Sequence, residues 1–384
     1  MAVVPTTKNI LIAAGDPSGD VHAANLIRAL KKLDPELNVA ALGGARMQEV
    51  SDKFIYNLVE VGAAGFAEPF KRIPLWLRLI SLVRKYMEER RPACFIAVDF
   101  YGLNHELLGL ASHRRIPSYY YISPQVWASR PGRAERMAPL VKSVLSIFPM
   151  DGKYYTAAGV DWHFVGHPLL DLVPAPQPTL PARPPDHRWK IGLLPGSRPY
   201  EINGLMPIFW ESFLQIRRAF PSSEAYVFAA REVSDSAILS ACAKAGGGAP
   251  KIVREDDYAV RSTMDAALTC SGTATLENAL LGIPMAVAYR LPWLSYHIAR
   301  RVITVKHIAL PNIVAGKQIV REFIQHDAAP KPLAGAIMAL LQNPESLLAM
   351  RTDLLKVRAA LGSPGVAERA ASFIHSSAFP SSNS

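Results

Sequence analysis

The amino-acid sequence predicts an α/β protein of two domains, each a parallel sheet covered by helices on both faces. Short apolar runs alternate with longer amphipathic segments, which is the pattern of strand–helix–strand units. A proline-rich stretch interrupts this alternation near the middle of the chain, and the alternation then resumes. The length of 384 residues fits two domains of ordinary size.

The first half of the chain carries five strand-like runs. Apolar runs of this length, bounded by turn residues, are typical of buried strands. An amphipathic helix at 21–32 follows the first run, and a pair of glycines ends the second. The strands are predicted at 9–14, 39–42, 94–98, 118–122 and 143–148.

Six prolines between 174 and 185 prevent regular structure and predict a linker at 174–188. The linker separates a domain at 1–173 from a second domain at 189–345. In the second domain, strands are predicted at 190–194, 225–229, 266–269 and 285–288, and helices at 201–219, 234–245 and 332–341. Helices within 346–375 are expected to cross back onto the first domain, and the serine-rich tail at 376–384 to be disordered.

The charge balance favours anionic partners. The chain has 42 Lys and Arg against 32 Asp and Glu, a net charge of +10. Phosphorylated substrates, an acidic membrane and nucleic acid would all suit such a chain. No helix carries an arginine stripe with interleaved aromatic side chains, so nucleic acid is not the expected partner.

Cysteine usage and hydropathy predict a protein of the reducing cytosol. Cys94, Cys242 and Cys270 are too widely spaced, and odd in number, for a disulfide framework or a zinc site. The apolar run at 10–14 is short and lacks a preceding basic region, so no signal peptide is predicted. No apolar run reaches about 18 residues without charge, so no membrane span is predicted.

The turn after the strand at 266–269 is the strongest candidate for a ligand site. Ser271, Gly272 and Thr273 would start a helix and present backbone N–H groups and two hydroxyls. The helix dipole and such unpaired donors together favour a phosphate. Glu277, about one turn further on, could accept hydrogen bonds from a ribose diol. An ordinary capped helix with a solvated glutamate explains the same residues equally well.

A second turn follows the strand at 190–194. Gly196 permits a tight turn, Ser197 is a good helix cap, and Arg198 offers a fork of donors suited to a diphosphate. A surface arginine after a turn is usually only solvated. Two such turns in one domain favour a site, because ligands of open α/β sheets bind at the carboxyl ends of strands.

The segment 72–91 has an unusual composition. Eight apolar residues between 73 and 83 are interleaved with or flanked by six basic residues. An exposed helix of this kind would lie on an anionic membrane, with Trp76 and the leucines at the interface. The alternative is a core helix with a basic solvent-facing side.

Seven short motifs occur in an order that resembles the lipid-A-disaccharide synthase family, glycosyltransferases of GT-B architecture (family 19). The motifs are Gly-Asp-Pro-Ser-Gly-Asp at 15–20, Gly-Ala-Arg-Met at 44–47, Ser-Pro-Gln-Val-Trp-Ala at 123–128, Phe-Val-Gly-His-Pro at 164–168, Leu-Pro-Gly-Ser-Arg at 194–198, Ser-Gly-Thr-Ala-Thr-Leu-Glu at 271–277 and Leu-Pro-Asn at 310–312. The resemblance runs from about residue 9 to about residue 345. It implies two Rossmann-like domains whose parallel sheets face a central cleft.

The resemblance implies an inverting, metal-independent transfer that uses no cofactor. A 2,3-diacylglucosamine unit would pass from UDP to the 6-hydroxyl of 2,3-diacylglucosamine 1-phosphate. The products would be UDP and the β-1,6-linked lipid A disaccharide 1-phosphate. The enzyme would be peripheral on the cytoplasmic face of the inner membrane, with UDP in the second domain and the acceptor in the first. A homodimer is compatible with the sequence.

The resemblance also implies the site residues. Asp99, at the end of the strand at 94–98, is the candidate base, and Arg198 would stabilise the charge on the leaving UDP. The residues expected to bind substrate are Asp16, Ser18, Gly19, Gly196, Ser197, Ser271, Gly272, Thr273, Glu277, Tyr289 and Asn312. No metal ligand is predicted, because the acidic run at 255–257 is interpreted as a helix cap.

Two positions depart from the family's pattern. The family has a second aspartate shortly after the base, where this chain has Gly102, although Asn104 matches. The departure leaves Asp99 as the sole candidate base. Asp16 and Pro17 replace a glutamate and an alanine, which shortens the carboxylate by one methylene and stiffens the turn.

Two alternative functions share parts of this pattern. Another GT-B enzyme acting on UDP-GlcNAc, a 2-epimerase or a peptidoglycan-type transferase, would have the same nucleotide site. A non-catalytic UDP-sugar or lipid-binding protein could keep the fold. The Ser-Gly-Asp turn, the Ser-Pro-x-Val-Trp segment and the apolar helix favour the lipid enzyme, and the retained Asp99 and Arg198 argue against loss of catalysis.

Overall fold

A computed structural model describes residues 8–63, 73–128, 130, 132–176, 187–243, 245–291 and 305–380. The chain divides into two compact units. The first comprises Met1–Pro168 and Gly362–Ser384, and the second comprises Leu169–Leu361. Most of the linker predicted at 174–188 lies outside the described residues, which resume at 187.

The described part of the first unit contains a seven-stranded parallel sheet. Its strands are β1 Asn9–Ala14, β2 Asn38–Gly43, β3 Lys53–Asn57, β4 Cys94–Val98, β5 Ser118–Tyr121, β6 Ser143–Ser146 and β7 Trp162–Phe164. Their order is β3-β2-β1-β4-β5-β6-β7. The chain builds outward from β1 to β3 and then returns to place β4 on the other side of β1.

Helices cover this sheet, and the sequence explains where they begin and end. They are α1 Pro17–Leu33, α2 Ala45–Val50, α3 Leu58–Ala63, α4 Ile73–Arg90, α5 Tyr101–His113, α6 Gly132–Met137 and α7 Gly152–Ala157. In α1, Asp16 caps the start, Pro17 occupies the first turn, and Lys31 and Lys32 complement the dipole in the last turn.

The described part of the second unit contains a six-stranded parallel sheet. Its strands are β8 Lys190–Leu194, β9 Glu224–Ala229, β10 Lys251–Arg254, β11 Ala266–Cys270, β12 Met285–Tyr289 and β13 Arg321–Ile324. Their order is β10-β9-β8-β11-β12-β13, so the fourth strand of this unit, β11, again lies on the other side of the first, β8. Two parallel-sheet α/β units confirm the predicted fold class.

The helices of the second unit bury their apolar faces against this sheet. They are α8 Leu169–Leu172, α9 Pro199–Ala219, α10 Asp235–Ala243, α11 Tyr258–Arg261, α12 Thr273–Leu280, α13 Leu310–Ala315, α14 Pro330–Gln342 and α15 Pro344–Ala360. Phe209 and Phe213 of α9 join Ile337 of α14 and Leu268 of β11 in one buried core. The predicted helices at 201–219, 234–245 and 332–341 correspond to α9, α10 and α14.

The last helix, α16 Val366–Ala378, returns to the first unit and packs against α1. The hydroxyl of Tyr119 donates to Ser377 Oγ at 2.9 Å, and His375 Nε2 lies 3.2 Å from Asp34 Oδ2. Residues 376–378 are therefore helical, and the expectation of a disordered tail from residue 376 is wrong at its start. The tail beyond residue 380 lies outside the described residues.

Four of the observed strands, β3, β7, β10 and β13, were not among those predicted. All four are at the edges of their sheets. Most of their residues are partly exposed, unlike those of the central strands. An edge strand has only one paired side, so it does not need the continuous apolar run by which buried strands are recognised.

Candidate active site

The carboxyl ends of β1 and β4 are adjacent, at the point where the strand order of the first sheet reverses. Ala14 pairs with Val98, so the turns that carry Asp16 and Asp99 start side by side. This topological switch point is where open α/β sheets bind ligands. The structure thus brings together two of the predicted site residues.

Asp99 lies in an unusual backbone turn. Asp99 and the next residue, Phe100, have φ angles of +48° and +46°. Left-handed backbone at two consecutive non-glycine residues is costly and is found mainly at functional sites. Gly15 makes the turn feasible, because a Cβ at this position would lie 2.1 Å from the Phe100 ring.

Two side chains that sequence reasoning did not assign to the site hold this turn in place. The Asn104 amide donates to the backbone oxygens of Asp99 at 2.8 Å and of Val98 at 3.2 Å. The buried Tyr120 hydroxyl donates to the same Asp99 oxygen at 2.6 Å. The Asn104 match to the family was the one available signal, whereas nothing in the sequence pointed to Tyr120.

The Asp99 carboxyl has a raised pKa. Burial, and next the negative charge of Asp16, raise the pKa of Asp99 to about 6. Its Oδ1 accepts a hydrogen bond from the Phe100 amide at 2.8 Å, which opposes the increase. Oδ2 has no hydrogen-bond partner among the described residues. A partly buried carboxylate with one unengaged oxygen and a pKa near neutrality suits a general base.

Two aspartates in the turn at the start of α1 have different structural roles. Asp16 Oδ1 accepts from the Gly19 amide at 2.6 Å and caps the helix, while Ser18 is exposed. Asp20 is buried and accepts from the amides that begin α2, those of Gly44, Arg46 and Met47. The amides at the α2 start are therefore already neutralised by a protein carboxylate.

The second sheet brings three of the predicted site residues together in the same way. Leu194 of β8 pairs with Thr269 of β11, and Cys270 of β11 pairs with Ala288 of β12. Arg198 and Ser271 lie in the segments that follow β8 and β11, and Tyr289 is the last residue of β12. They form one edge at the switch point of the second sheet.

In the turn of Gly196, Ser197 and Arg198, a side chain of the protein occupies two backbone amides. The nearly buried Glu201 carboxylate accepts from the Ser197 amide at 3.0 Å and from the Arg198 amide at 3.1 Å. Glu201 therefore occupies both amides, and the Arg198 guanidinium is the donor of this turn that the sequence offered to a diphosphate. Gly196 has a φ of +104° and leaves room for Glu201, because a Cβ there would lie 2.3 Å from its Oε2.

The Arg198 guanidinium remains largely exposed. Its Nη1 donates to Tyr200 Oη and to Glu201 Oε1, both at 3.2 Å, while 66% of the side chain is accessible. Tyr289 lies close by, and burial, followed by the nearby Tyr200, raises its pKa to about 12. Arg198 is thus pre-oriented by its neighbours and still available to an anion.

The start of α12 agrees with the predicted phosphate site in its backbone. The amides of Gly272, Thr273 and Ala274 find no acceptor in the described part of the chain, as expected for a helix N-terminus. The Ser271 hydroxyl, however, donates to the Ile308 carbonyl at 3.0 Å. The backbone amides, more than the Ser271 hydroxyl, are the donors open to a ligand.

Glu277 belongs to a buried charge network that the sequence did not reveal. Its Oε2 accepts from Arg261 Nη1, and its Oε1 accepts from the Tyr258 hydroxyl, each at 2.8 Å. Arg261 is fully buried and also donates to Asn278 Oδ1 and to the Ala274 carbonyl. Glu277 is therefore held in one orientation rather than solvated, which excludes the simplest alternative to a ligand role.

The Asn312 side chain is engaged by neighbouring groups of the second unit, and its expected contact with the donor stays a prediction. Its side chain is fully buried, and its amide nitrogen donates to the Val320 carbonyl and to Glu322 Oε1, both at 2.8 Å. Its Oδ1 accepts from the amides of Ile319 and Val320. With its hydrogen-bonding groups engaged inside the unit, Asn312 braces the chain between α13 and β13.

The apolar and basic segment forms α4, and its two sides differ. Leu79, Val83 and Met87 are buried in the core of the first unit, and Trp76 and Ile80 pack against the same core. Leu77 and Leu82 are exposed by 61% and 38%, on the side that carries Arg78, Arg84 and Lys85. The expectation that Trp76 lies at a membrane interface is therefore not supported, whereas Leu77 and Leu82 are accessible.

Four further observations bear on the sequence expectations. Cys94, Cys242 and Cys270 are free and buried. In the ranges that the structure describes, His, Cys, Asp and Glu side chains form no group of three or more that could hold a metal ion. No helix in these ranges has the length and apolar character needed to cross a membrane. Asp257 caps α11 by accepting from the Val260 amide, as interpreted from the sequence.

Solved structures share this fold. The UDP-GlcNAc 2-epimerase of Neisseria meningitidis bound to UDP-GlcNAc superposes with a TM-score of 0.58 at 12% identity, covering 92% of this chain and 97% of that one. The kitacinnamycin glycotransferase superposes with a TM-score of 0.60 at 19% identity, covering 96% and 98%. At such identities the likeness shows the GT-B fold alone, so it does not favour the epimerase alternative.

Sequence relatives are more specific. The lipid-A-disaccharide synthase of Anaeromyxobacter dehalogenans (strain 2CP-C) is 36% identical over 372 residues, covering 95% of this chain and 96% of that protein. The lipid-A-disaccharide synthase of Geobacter sulfurreducens is 36% identical over 377 residues, covering 96% and 97%. The family model described as lipid-A-disaccharide synthetase matches residues 10–376. This chain, with Asp99 and Arg198 at the switch points of its two sheets, belongs to the lipid-A-disaccharide synthetase family.

Proposed function

We propose that the protein transfers 2,3-diacylglucosamine from UDP to the 6-hydroxyl of 2,3-diacylglucosamine 1-phosphate with inversion, forming a β-1,6 link. The observation that carries this proposal is the Asp99 carboxyl, partly buried beside Asp16 at the switch point of the first sheet. Family membership supplies the reaction, and Asp99 supplies the base that an inverting transfer requires.

On the acceptor side, Asp99 removes one proton. The 6-hydroxyl oxygen forms the new bond to the anomeric carbon while its proton passes to Asp99 Oδ2, the oxygen not engaged by the Phe100 amide. The bond from that carbon to the UDP oxygen breaks, and its electron pair leaves with UDP. A pKa of about 6 keeps Asp99 mostly ionised at neutral pH yet basic enough to accept the proton.

On the donor side, the second unit binds UDP. The amides of Gly272, Thr273 and Ala274 and the Arg198 guanidinium offer donors to the diphosphate. Glu277, held by Arg261 and Tyr258, accepts from the ribose hydroxyls. A cation and a helix N-terminus stabilise the charge that develops on the leaving UDP, so we expect turnover without an added metal ion.

We further propose that the protein binds peripherally to the cytoplasmic face of the inner membrane through α4. The exposed Leu77 and Leu82 would enter the interface, and Arg78, Arg84 and Lys85 would contact anionic headgroups. The diacylated acceptor and donor are membrane lipids in this reaction, which gives such an attachment its purpose.

The decisive experiment is an in vitro assay with UDP-2,3-diacylglucosamine and 2,3-diacylglucosamine 1-phosphate in the presence of EDTA. We expect UDP and a β-1,6 disaccharide to form, and Asp99→Asn to abolish turnover while leaving UDP binding intact. In a parallel assay with UDP-GlcNAc, epimerisation of that nucleotide sugar, without disaccharide from the acylated substrates, would instead identify a 2-epimerase. Tight UDP binding without turnover of either substrate would identify a non-catalytic binder.

A further inference from the structure

A cluster of unpaired positive charge lies in the first unit around α6. Arg130, Arg133 and Arg136 follow one another at intervals of three residues. In the described part of the chain these guanidinium groups form no ion pair. Arg133 lies over the ring of Tyr101, with Cζ 4.3 Å from the ring centroid, and Arg136 donates to the Gly132 carbonyl.

The crowding of these charges has an electrostatic cost. Burial, and next the charge of Arg130, lower the pKa of Arg133, and Arg136 acts in the same direction. Glu135, the acidic residue of α6, lines a separate concavity with Lys153 and Tyr154 and forms no ion pair with Arg133. Partly buried like charges of this kind are stabilised when an anion binds among them.

Two further polar groups beside Arg133 lack partners. The buried Tyr101 Oη and His105 Nδ1 have no hydrogen-bond partner among the described residues. Their rings stack with centroids 5.1 Å apart. A hydroxyl and an imidazole N–H next to a guanidinium supply the neutral and charged donors that a phosphate monoester accepts.

The cluster lies next to the candidate base. Tyr101 is the first residue of α5, two positions after Asp99. Tyr120, whose hydroxyl bonds the Asp99 carbonyl, is close enough to Arg133 to influence its pKa. An anion held by Arg133 and Tyr101 would therefore be bound by the segment that directly follows the Asp99 turn.

We propose that Arg133, Tyr101, His105 and Arg136 bind the phosphate monoester of the acceptor and so select a phosphorylated sugar. This proposal rests on the proposed function, because the acceptor of that reaction carries a phosphate on C1, on the other side of the ring oxygen from C5, which bears the reacting 6-hydroxymethyl group. Arg133 grips the phosphate oxygens with its fork of donors, and Tyr101 and His105 complete the site. The departure at Gly102 does not affect it, since Gly102 contributes no side chain.

The test compares two acceptors, 2,3-diacylglucosamine 1-phosphate and the same lipid without phosphate, in the wild type and in Arg133→Gln. We expect Arg133→Gln to raise the KM for the phosphorylated acceptor about tenfold or more, and to leave the KM for the UDP donor and for the dephosphorylated acceptor unchanged. Arg28→Gln, an exposed arginine on α1 that bonds Asn25, is the matched control and should leave all three constants unchanged. Equal effects of Arg133→Gln on both acceptors, or none on either, would overturn the proposal.

A second measurement distinguishes phosphate binding at this site from glycosyl transfer and from binding to a membrane. Soluble glucosamine 1-phosphate should bind the wild type and lose affinity in Arg133→Gln and, less severely, in Arg133→Lys, as followed by calorimetry. Such binding without any turnover would retain the phosphate site and reject the glycosyl transfer. Turnover that ignores the acceptor phosphate would do the reverse. If Arg133→Gln weakened only binding to anionic vesicles, the cluster would contact lipid headgroups and the acceptor proposal would fail.

Discussion

At the scale of single residues, the Asp16 and Asp99 pair sets the pH dependence of the proposed reaction. Because the pKa of Asp99 is about 6 and the base must be ionised, kcat/KM should rise with pH through about 6 and then level off. Replacing Asp16 with Asn removes a negative charge that raises this pKa. The acidic limb should therefore move to lower pH, as measured by kcat/KM from about pH 4.5 to 8.

The charge-conserving variant Asp16→Glu is the control for that shift. It keeps both the carboxylate and the capping acceptor, so its acidic limb should stay near that of the wild type. Burial is the larger cause of the raised pKa, and the limb of Asp16→Asn should therefore remain above the ordinary range of a carboxyl group. An identical limb in all three proteins would mean that Asp99 is not the titrating base.

Asp151, at the entrance to α7, provides an independent expectation about stability. Neither of its carboxylate oxygens has a partner in the described ranges, and burial raises the pKa of Asp151 to about 8 from an ordinary 3.8. The folded state thus retains a proton that the unfolded chain loses. The resulting stability is complete below about pH 4 and is lost as pH rises through about 8.

Asp151→Asn replaces the carboxyl with a neutral group of the same shape. It should flatten the decline in the midpoint of thermal unfolding between about pH 5 and 8, with the largest gain over the wild type at the upper end. Asp327→Asn, at an exposed position, is the matched control and should follow the wild-type curve. Parallel curves for Asp151→Asn and the wild type would show that Asp151 is ionised throughout this range.

Residues at the ends of strands could be found from the sequence, whereas their partners could not. The local sequence pattern places four site residues at the carboxyl ends of strands, because each follows an apolar run: Asp16, Asp99, Arg198 and Gly272. Arg261 binds Glu277 from another helix, and Tyr120 reaches the Asp99 turn from the next strand. Such contacts join positions far apart in sequence, and no local pattern encodes them. Asn312 likewise bonds Val320 and Glu322, contacts that its Leu-Pro-Asn motif does not reveal.

At the scale of secondary structure, α4 has one buried side and one exposed side, so the two can be altered independently. The double variant Leu77→Ser and Leu82→Ser should bind anionic vesicles more weakly and raise the apparent KM for the lipid acceptor. Its free energy of unfolding should change by no more than about 1 kcal/mol, because both side chains are exposed. Vesicle sedimentation and chemical denaturation measure the two effects separately.

Leu79→Ala on the buried side of α4 is the control for that experiment. Leu79 is 2% exposed, so its truncation should lower the free energy of unfolding by about 2–5 kcal/mol and leave vesicle binding of the folded protein unchanged. Wild-type vesicle binding by the Leu77 and Leu82 double variant would argue against α4 as the membrane contact. The sequence left open a membrane-bound helix and a core helix with a basic solvent-facing side, and in the structure Trp76 packs against the core.

Edge strands limited what the sequence could predict about the sheets. The central strands, such as β1 and β4, are buried throughout and read as continuous apolar runs. At the edges, β3 and β10 begin with exposed lysines, and most of their other residues are only partly buried. Exposed charge at an edge also discourages pairing with another chain, so the feature that hid these strands has its own physical role.

At the scale of the whole molecule, the strand order reverses in both sheets, with the fourth strand of each unit beside its first. The two units differ in whether protein side chains already occupy the backbone amides at the starts of α2 and α12. In the first unit Asp20 occupies the amides at the start of α2, whereas in the second unit the amides at the start of α12 are unoccupied by the described residues. The diphosphate of UDP should therefore bind at the start of α12 and not at the start of α2.

Hydrogen exchange should make this difference visible. Saturating UDP, at about 100 times its Kd, should slow exchange of the Gly272, Thr273 and Ala274 amides about 100-fold if exchange requires the free site. The amides of Gly44 and Met47, already bonded to Asp20, serve as the internal reference and should not respond. Protection confined to the first unit would contradict the assignment of UDP to the second.

The α16 helix gives the first unit a discontinuous chain. Residues 362–384 belong to that unit although the whole second unit, residues 169–361, precedes them. Domains generally fold as they emerge from the ribosome, in order from the amino terminus. Here the first unit cannot be completed until α16, which follows the whole second unit in the chain, has been translated. The surface of α1 that α16 covers therefore stays uncovered until then, so a nascent chain stalled before residue 366 should expose this surface to chaperones and proteases.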